Sequence, residues 1–339
     1  MIRAFDWRDL SLLHRLRDRS LMLDSQQAFT RGPQALQNAL LDALTPGRWA
    51  CTLVTRPSTP GEEPAIAQVL LRSEDTYARL ALITPGSILE KPEALGLLEA
   101  LVRAAGQQGA RNLIAEVEED APAFESLRRA GFAIYARQRV WRLVPGAASA
   151  DGQVGVTPGS DRAAHADERD LWRRETSHDE IPINSLYLNL VPALVQQAEP
   201  PPRHTGQGWV HWRQGELLGY LNLDRGPLGV WVQPYFHPAA EGVDDLLARF
   251  LEDFEDRRAR PLYLCIRSYQ SWAGSALERL GFEPVCDQAV LMKRLAAPVR
   301  QAVPATMPAL ERSSPEPTAP FARAAAANFE RRRLKSRTD

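Results

Sequence analysis

Apolar residues recur at helical spacing in two stretches of the chain. Ala94, Leu97, Leu98, Leu101, Val102 and Ala105 fall at i, i+3, i+4 and i+7, which predicts a helix over 92–106 with Pro92 at its first position. Val243, Leu246, Leu247, Phe250, Leu251 and Phe254 predict a second helix over 243–254. Shorter apolar runs around each helix read as strands. About the first these are 77–83, 112–117 and 132–143; about the second, 208–213, 216–223, 228–234, 262–266 and 282–295. Gln214-Gly215 has the composition of a hairpin turn, and short helices at 123–130 and 275–280 stop at Gly131 and Gly281.

The two stretches are copies of one pattern. Leu127–Phe132, LRRAGF, recurs 150 residues later as LERLGF, and the same offset carries Gln138, Val140, Leu97 and Leu101 onto Gln288, Val290, Leu247 and Leu251. RNLIAEV from Arg111 parallels RPLYLCI from Arg260 with a one-residue slip. The small, polar segment 145–159 reads as a linker. Residues 297–339 read as a disordered Pro/Ala-rich tail that ends in a short basic helix. This divides the chain into domains at 1–144 and 160–296.

A net charge of −1 directs the reading away from nucleic acid and membrane. The basic run Arg331–Arg337 offers one contact for an acidic partner. Three cysteines without CxxC spacing, and six histidines without an HxxxH pair, give no zinc or disulfide pattern, so no metal is expected. The first residues lack the apolar run of a signal peptide, and the reading is a cytoplasmic protein. Only three of the 41 basic residues are lysine, which with 26 prolines suggests a GC-rich bacterial genome.

Antiparallel strands, a central helix, a strand, a short helix ending in Gly-Phe and a closing strand: this order resembles the GNAT N-acyltransferase superfamily. Gly131-Phe132 and Gly281-Phe282 stand where that family ends its short helix, and Val230–Pro234 looks like its fourth strand and following proline. The resemblance implies an α/β (α+β) fold of two tandem GNAT-like domains, each a mixed, mostly antiparallel sheet flanked by helices. It also implies acetyl-CoA as cosubstrate, with its pantetheine arm along 77–83 or 228–234 and its diphosphate on the amides that open the central helix. Ile83, Gly86, Ser87, Val232, His237 and Gly242 are the candidate contacts.

The motifs depart from the family in two ways. Neither loop, 84–94 nor 234–245, carries the family's glycine-rich phosphate pattern, and Glu93, Asp244 and Asp245 bring negative charge to the helix starts. Leu127 and Leu277 occupy the position at which many members carry a tyrosine general acid. Glu116 is a candidate base, and Tyr135 and Tyr269 are candidate acids in place of the missing tyrosine. Trp209, Trp212 and Trp231 either pack in the core or line a cleft.

Two functions fit these residues. One is transfer of an acyl group from acetyl-CoA to a small-molecule or peptide amine, by proximity and a polarised thioester carbonyl. The other is a catalytically silent GNAT-fold scaffold, or a sensor of small molecules or acyl-CoA.

Overall fold

The computed structural model describes residues 2–34, 48–56, 63–72, 75–146 and 172–295, all within the compact unit Met1–Pro298. Most of the linker and all of the tail expected from the sequence lie outside the described residues.

The first half runs β1 (Ile2–Ala4), α1 (Leu10–Leu16), β2 (Leu21–Met22), α2 (Ser25–Arg31), β3 (Arg48–Thr55), β4 (Ile66–Arg72), β5 (Tyr77–Thr84), α3 (Glu93–Gln107), β6 (Asn112–Val117), α4 (Pro122–Arg129) and β7 (Ala133–Leu143). The second runs β8 (Trp172–Arg174), α5 (Glu180–Leu190), α6 (Ala193–Ala198), β9 (Trp209–Arg213), β10 (Glu216–Arg225), β11 (Val230–Phe236), α7 (Val243–Asp253), β12 (Leu262–Arg267), α8 (Gly274–Arg279) and β13 (Glu283–Arg294). The strand expected at 228–234 is displaced to Val230–Phe236. Leu228 belongs to the turn before it, donating its amide to Thr30 O while Gly226 N bonds Gly229 O.

The strands form one continuous sheet in the order β1-β3-β4-β5-β6-β13-β7-β12-β11-β10-β9-β8, with β2 beside β5. The order is symmetric about its centre: β6 and β12, β5 and β11, β4 and β10, β3 and β9, and β1 and β8 stand at equal distances on either side of the β13–β7 pair. The two closing strands are exchanged: β6 pairs with β13 and β12 with β7, both antiparallel. At the centre β7 and β13 run antiparallel with Gln138 opposite Gln288, and Gln138 Nε2 donates to Gln288 Oε1 at 2.9 Å. The repeat offset carries Gln138 onto Gln288, so a pseudo-twofold axis passes through this pair.

The copies agree down to single hydrogen bonds. Phe132 N bonds Leu127 O at 3.1 Å, and Phe282 N bonds Leu277 O at 3.0 Å. Gly131 and Gly281 sit at φ +85° and +80°, the left-handed turn that closes a helix. The N-terminal segments match as well. Arg3 clamps Asp9 with two bonds of 2.6 Å, and Arg173 clamps Asp179 with two of 2.7 Å, each acid also accepting the backbone N–H three residues before it. In each half the central helix covers the same sheet face with its apolar stripe. Leu97, Leu98 and Leu101 line one core and Leu246, Leu247 and Phe250 the other. The opposite face carries α2, α5 and α6, and its centre is polar. No helix among the described residues is long and apolar enough to cross a membrane.

Candidate functional site

Each half contains a parallel pair that opens. β5 and β6 stay in register for only three rungs, from Tyr77↔Asn112 to Arg79↔Ile114. β11 and β12 do so from Val230↔Leu262 to Val232↔Leu264. Beyond these rungs the strands diverge, and their facing N–H and C=O groups need other partners.

The two openings are filled differently. In the first, the chain plugs its own gap. β2 pairs with β5 at Leu21↔Ile83, then Leu23 N donates to Ala81 O and Leu23 O accepts from Glu116 N, each at 2.9 Å. Leu23 is 1% exposed, so a peptide segment bridges the strands inside the fold. In the second opening the filling is a side chain. Gln270 is fully buried in the kinked segment Ser268–Ala273; its Oε1 accepts from Phe236 N and its Nε2 donates to Pro234 O, both at 3.0 Å. Gln233 Nε2 reaches across to Cys265 O at 3.0 Å.

The fold is matched in solved structures. A GCN5-related N-acetyltransferase from Sphaerobacter thermophilus superposes with a TM-score of 0.51 at 15% identity, covering 87% of this chain and 95% of its own. The chain is a tandem GNAT-fold protein. A tandem GNAT protein from the clavulanic acid biosynthesis pathway gives a TM-score of 0.49 at 15% identity over 87% and 98% of the two chains. A GCN5-related N-acetyltransferase from Kribbella flavida gives 0.45 at 18% over 76% and 94%. No protein-family model and no curated protein matches the chain.

In GNAT-fold terms, the expected coenzyme contacts fall as follows. Ile83 backs the plug through its pairing with Leu21. Gly86 lies against the same plug, because a Cβ there would come within 2.9 Å of Leu21 Cβ. Ser87 is exposed in a separate 3-10 turn, Gly86–Glu90, ahead of α3. Val232 is buried at the last parallel rung. His237 Nδ1 accepts from Ala239 N at 3.1 Å, which engages it in its own turn. Gly242, in the left-handed region at φ +65°, caps α7. Hydrogen bonding from Arg279 and from the amides of Asp244 and Asp245 holds the Asp244 carboxyl below its ordinary range. Asp244 and Asp245 thus bring negative charge to the first turn, on which the resemblance sets a diphosphate. Leu127 and Leu277 are fully buried core residues.

The three candidate catalytic residues gather on the polar face at the junction of the halves. Glu116 is 3% exposed, and both its oxygens are engaged, by Ser25 N at 2.8 Å and Arg79 Nη1 at 3.2 Å. Tyr135 donates its hydroxyl to Glu199 Oε1, and burial, reinforced by that carboxylate, raises its pKa well above the ordinary phenol. Burial raises Tyr269 too. Sequence reasoning missed the charges that organise this cluster. Arg267 is 4% exposed and donates through Nη2 to Glu199 Oε1 at 2.7 Å, while its buried Nη1 has no hydrogen-bond partner among the described residues. Burial raises the Glu199 pKa, but Arg267, Arg79 and the Tyr135 hydrogen bond outweigh it and hold the carboxyl below its usual range. A polar chain continues from Glu116 through Ser25 and Gln288 to Gln138, which accepts from Cys265 Sγ at 3.2 Å. Burial pushes the Cys286 thiol up to about 12, so it stays protonated and inert. Among the described residues no group of His, Cys, Asp and Glu is arranged to hold a metal ion.

Over this cluster lies a cavity of about 410 Å³ whose walls come from both halves. Arg79 and Glu116 belong to the first; Gln233, Tyr235, Arg267 and the stretch 199–207 belong to the second. The signal that could have revealed it was a charge in each apolar strand: Arg79 inside YARLALI and Arg267 at the end of LYLCIR.

Proposed function

We propose that the chain is an acyl-CoA-dependent N-acyltransferase whose second half takes the acyl donor and whose first half is structural. The observation that carries this reading is the difference between the two plugs. The first opening is bridged by backbone, which leaves only if the fold opens; the second is bridged by one side chain, which can rotate away. Withdrawal of the Gln270 amide frees Pro234 O and Phe236 N, an acceptor and a donor suited to the amides of a pantetheine arm. The fit at the diphosphate is poor, because Asp244 and Asp245 stand in the first turn of α7, so affinity for the nucleotide end is expected to be weak. With leucine at both general-acid positions, transfer rests on placement. The amine nitrogen bonds to the thioester carbonyl carbon, the C–S bond breaks, and the departing sulfur takes the proton the amine releases. A cytoplasmic location, where acyl-CoA is available, belongs to the same reading.

The test is a titration of the full chain with acetyl-CoA, followed by calorimetry and thermal shift. Donor at a hundredfold its dissociation constant should stabilise the protein by about 2.7 kcal/mol. Gln270→Ala removes the amide that the donor must displace and should tighten binding by about tenfold. Absence of binding to either form would sink the reading. It would favour a silent GNAT-fold protein, the reading that the filled first opening and the acidic first turn of α7 support.

A further inference from the structure

The second opening and the junction cavity meet in one short segment. Gln270, which fills the opening, stands three residues after Arg267, which bonds Glu199 in the cavity wall. The stretch Ser268–Ala273 is a 3-10 turn, and in such a turn every third side chain falls on one side. Burial follows that period: Arg267, Gln270 and Ala273 are buried, while Ser268, Ser271 and Trp272 are exposed. The segment is therefore tethered on its inner side, with Tyr269 half-buried against the cluster of Tyr135, Tyr187 and Tyr235. Its helical geometry is interrupted at the plug itself, where Gln270 sits at φ −121° and ψ 21°. Among the described residues the Arg267 side chain makes one hydrogen bond, to Glu199 Oε1 at 2.7 Å, and its buried Nη1 makes none. The place of the guanidinium thus depends on that carboxylate. Glu199 is held in turn: Tyr135 donates to the same oxygen, and the Tyr187 hydroxyl donates to the Glu199 carbonyl at 2.7 Å.

We propose that the Arg267–Glu199 pair latches the plug: it fixes the start of the segment so that the Gln270 amide stays on Pro234 O and Phe236 N. Arg267 is in this sense a positioning residue, acting on the opening through Gln270. Without Glu199 the guanidinium loses its one acceptor, and the turn is free to rotate at the end of β12. Gln270 leaves with it, because both side chains project from the same inner face. The second opening is then controlled from the wall of the junction cavity, and not by the plug's own two bonds alone. The inference concerns the plug; that the opening takes an acyl donor rests on the transfer reading.

The experiment is native-state hydrogen exchange of the full chain, without acyl donor, resolved to single amides by NMR. The Phe236 amide reports the plug, because it bonds Gln270 Oε1. The Val230 amide bonds Pro261 O at the closed end of the same strand pair and is the reference for global unfolding. Glu199→Ala with Arg267→Ala removes both ends of the tether and leaves neither charge buried without the other. The loss of this charge-assisted hydrogen bond should speed Phe236 exchange by at least about tenfold relative to Val230. Tyr135→Phe takes one hydrogen bond from Glu199 and leaves the charges in place. It should shift the same ratio in the same direction by about twofold to tenfold. A ratio unchanged in the double variant, or unchanged in Tyr135→Phe should the double variant not fold, would overturn the latch. Failure here is distinct from failure of donor binding. Acetyl-CoA binding that tightens in Gln270→Ala but not in the double variant removes the latch and keeps the donor reading. A freed Phe236 amide with no acetyl-CoA bound by any form does the reverse.

Discussion

The buried Arg267–Glu199 pair gives the sharpest prediction. Arg267 is 4% exposed and its charge has one carboxylate within hydrogen-bond distance, Glu199, at 2.7 Å. Glu199→Gln keeps the shape and an acceptor oxygen for Tyr135 and Arg267, and removes only the charge. A guanidinium left uncompensated inside a protein costs about 3–5 kcal/mol. The apolar double variant Glu199→Leu with Arg267→Met takes away both charges, and such replacements are neutral or stabilising by about 1–4 kcal/mol. The single variant should therefore lower stability by about 3 kcal/mol or more while the double variant recovers it. Urea denaturation of all four proteins, followed by tryptophan fluorescence, closes the cycle. A loss under about 1 kcal/mol for Glu199→Gln would place the pair among solvated surface bridges and refute the reasoning.

The pH dependence checks the same point independently. The folded Glu199 carboxyl lies below its unfolded value of about 4.3, so its contribution is present above that pH and is lost as pH falls through the folded value. Below this window the protonated acid resembles glutamine, and the wild-type and Glu199→Gln curves should converge. If apolar replacement costs no stability, the ion pair is retained for what lies above it, which is the cavity.

Three further outcomes follow from contacts elsewhere. Gly86→Ala drives a Cβ to 2.9 Å from Leu21 Cβ, so it should cost about 1–3 kcal/mol and speed hydrogen exchange at the Leu23 amide; unchanged exchange there would contradict the plug. Gly226→Ala sets a Cβ 2.2 Å from Thr30 O, a collision with backbone, and should detach α2 from the second half at a cost above about 3 kcal/mol, read as lost exchange protection over Ser25–Arg31. Asp179 is opposed by burial, which raises its pKa, yet bonds from Arg173 and Thr176 depress it. Its stabilisation is therefore held above about pH 4 and lost as pH falls through the folded value, and Asp179→Asn should flatten that limb of a urea-midpoint profile.

Much of the fold was legible because periodicity and burial coincide. Asn112–Val117 appears with the bounds its apolar run predicts, and Gln214-Gly215 forms the expected turn with φ of 53° and 83°. Other features were hidden for physical reasons. Arg3 and Asp9 match Arg173 and Asp179 at an offset of 170 rather than 150, since the loops between differ in length, and a search at one period passes over them. The strand exchange leaves no trace in the pattern, because β7 alternates identically whether its neighbour is β6 or β12. Of the site, the junction cluster was glimpsed through Glu116, Tyr135 and Tyr269, while of its organising charges Arg79 lies inside a predicted strand, Arg267 directly after one and Glu199 in a loop. Gln270 had no signal, for an amide that satisfies two backbone groups looks like any glutamine in a helix-forming segment.

The exchange also gives a reason for keeping the first half, whose opening is filled by its own backbone. The first half supplies β7, and β12 is bonded to it over six rungs from Leu262↔Leu143 to Arg267↔Gln138. Residues 160–296 expressed alone would leave that edge, and one edge of β13, without partners, and an unpaired strand edge recruits another chain. The pseudo-twofold axis through Gln138 and Gln288 says which chain fits: a second copy, with Gln288 opposite Gln288 and the two β13 strands antiparallel. Light scattering on the isolated half should therefore show a dimer or larger species, whereas the full chain satisfies these edges within itself. A soluble, folded monomer of 160–296 would mean that β13 can close its own sheet. The first half's retention would then need a reason other than the strand it lends.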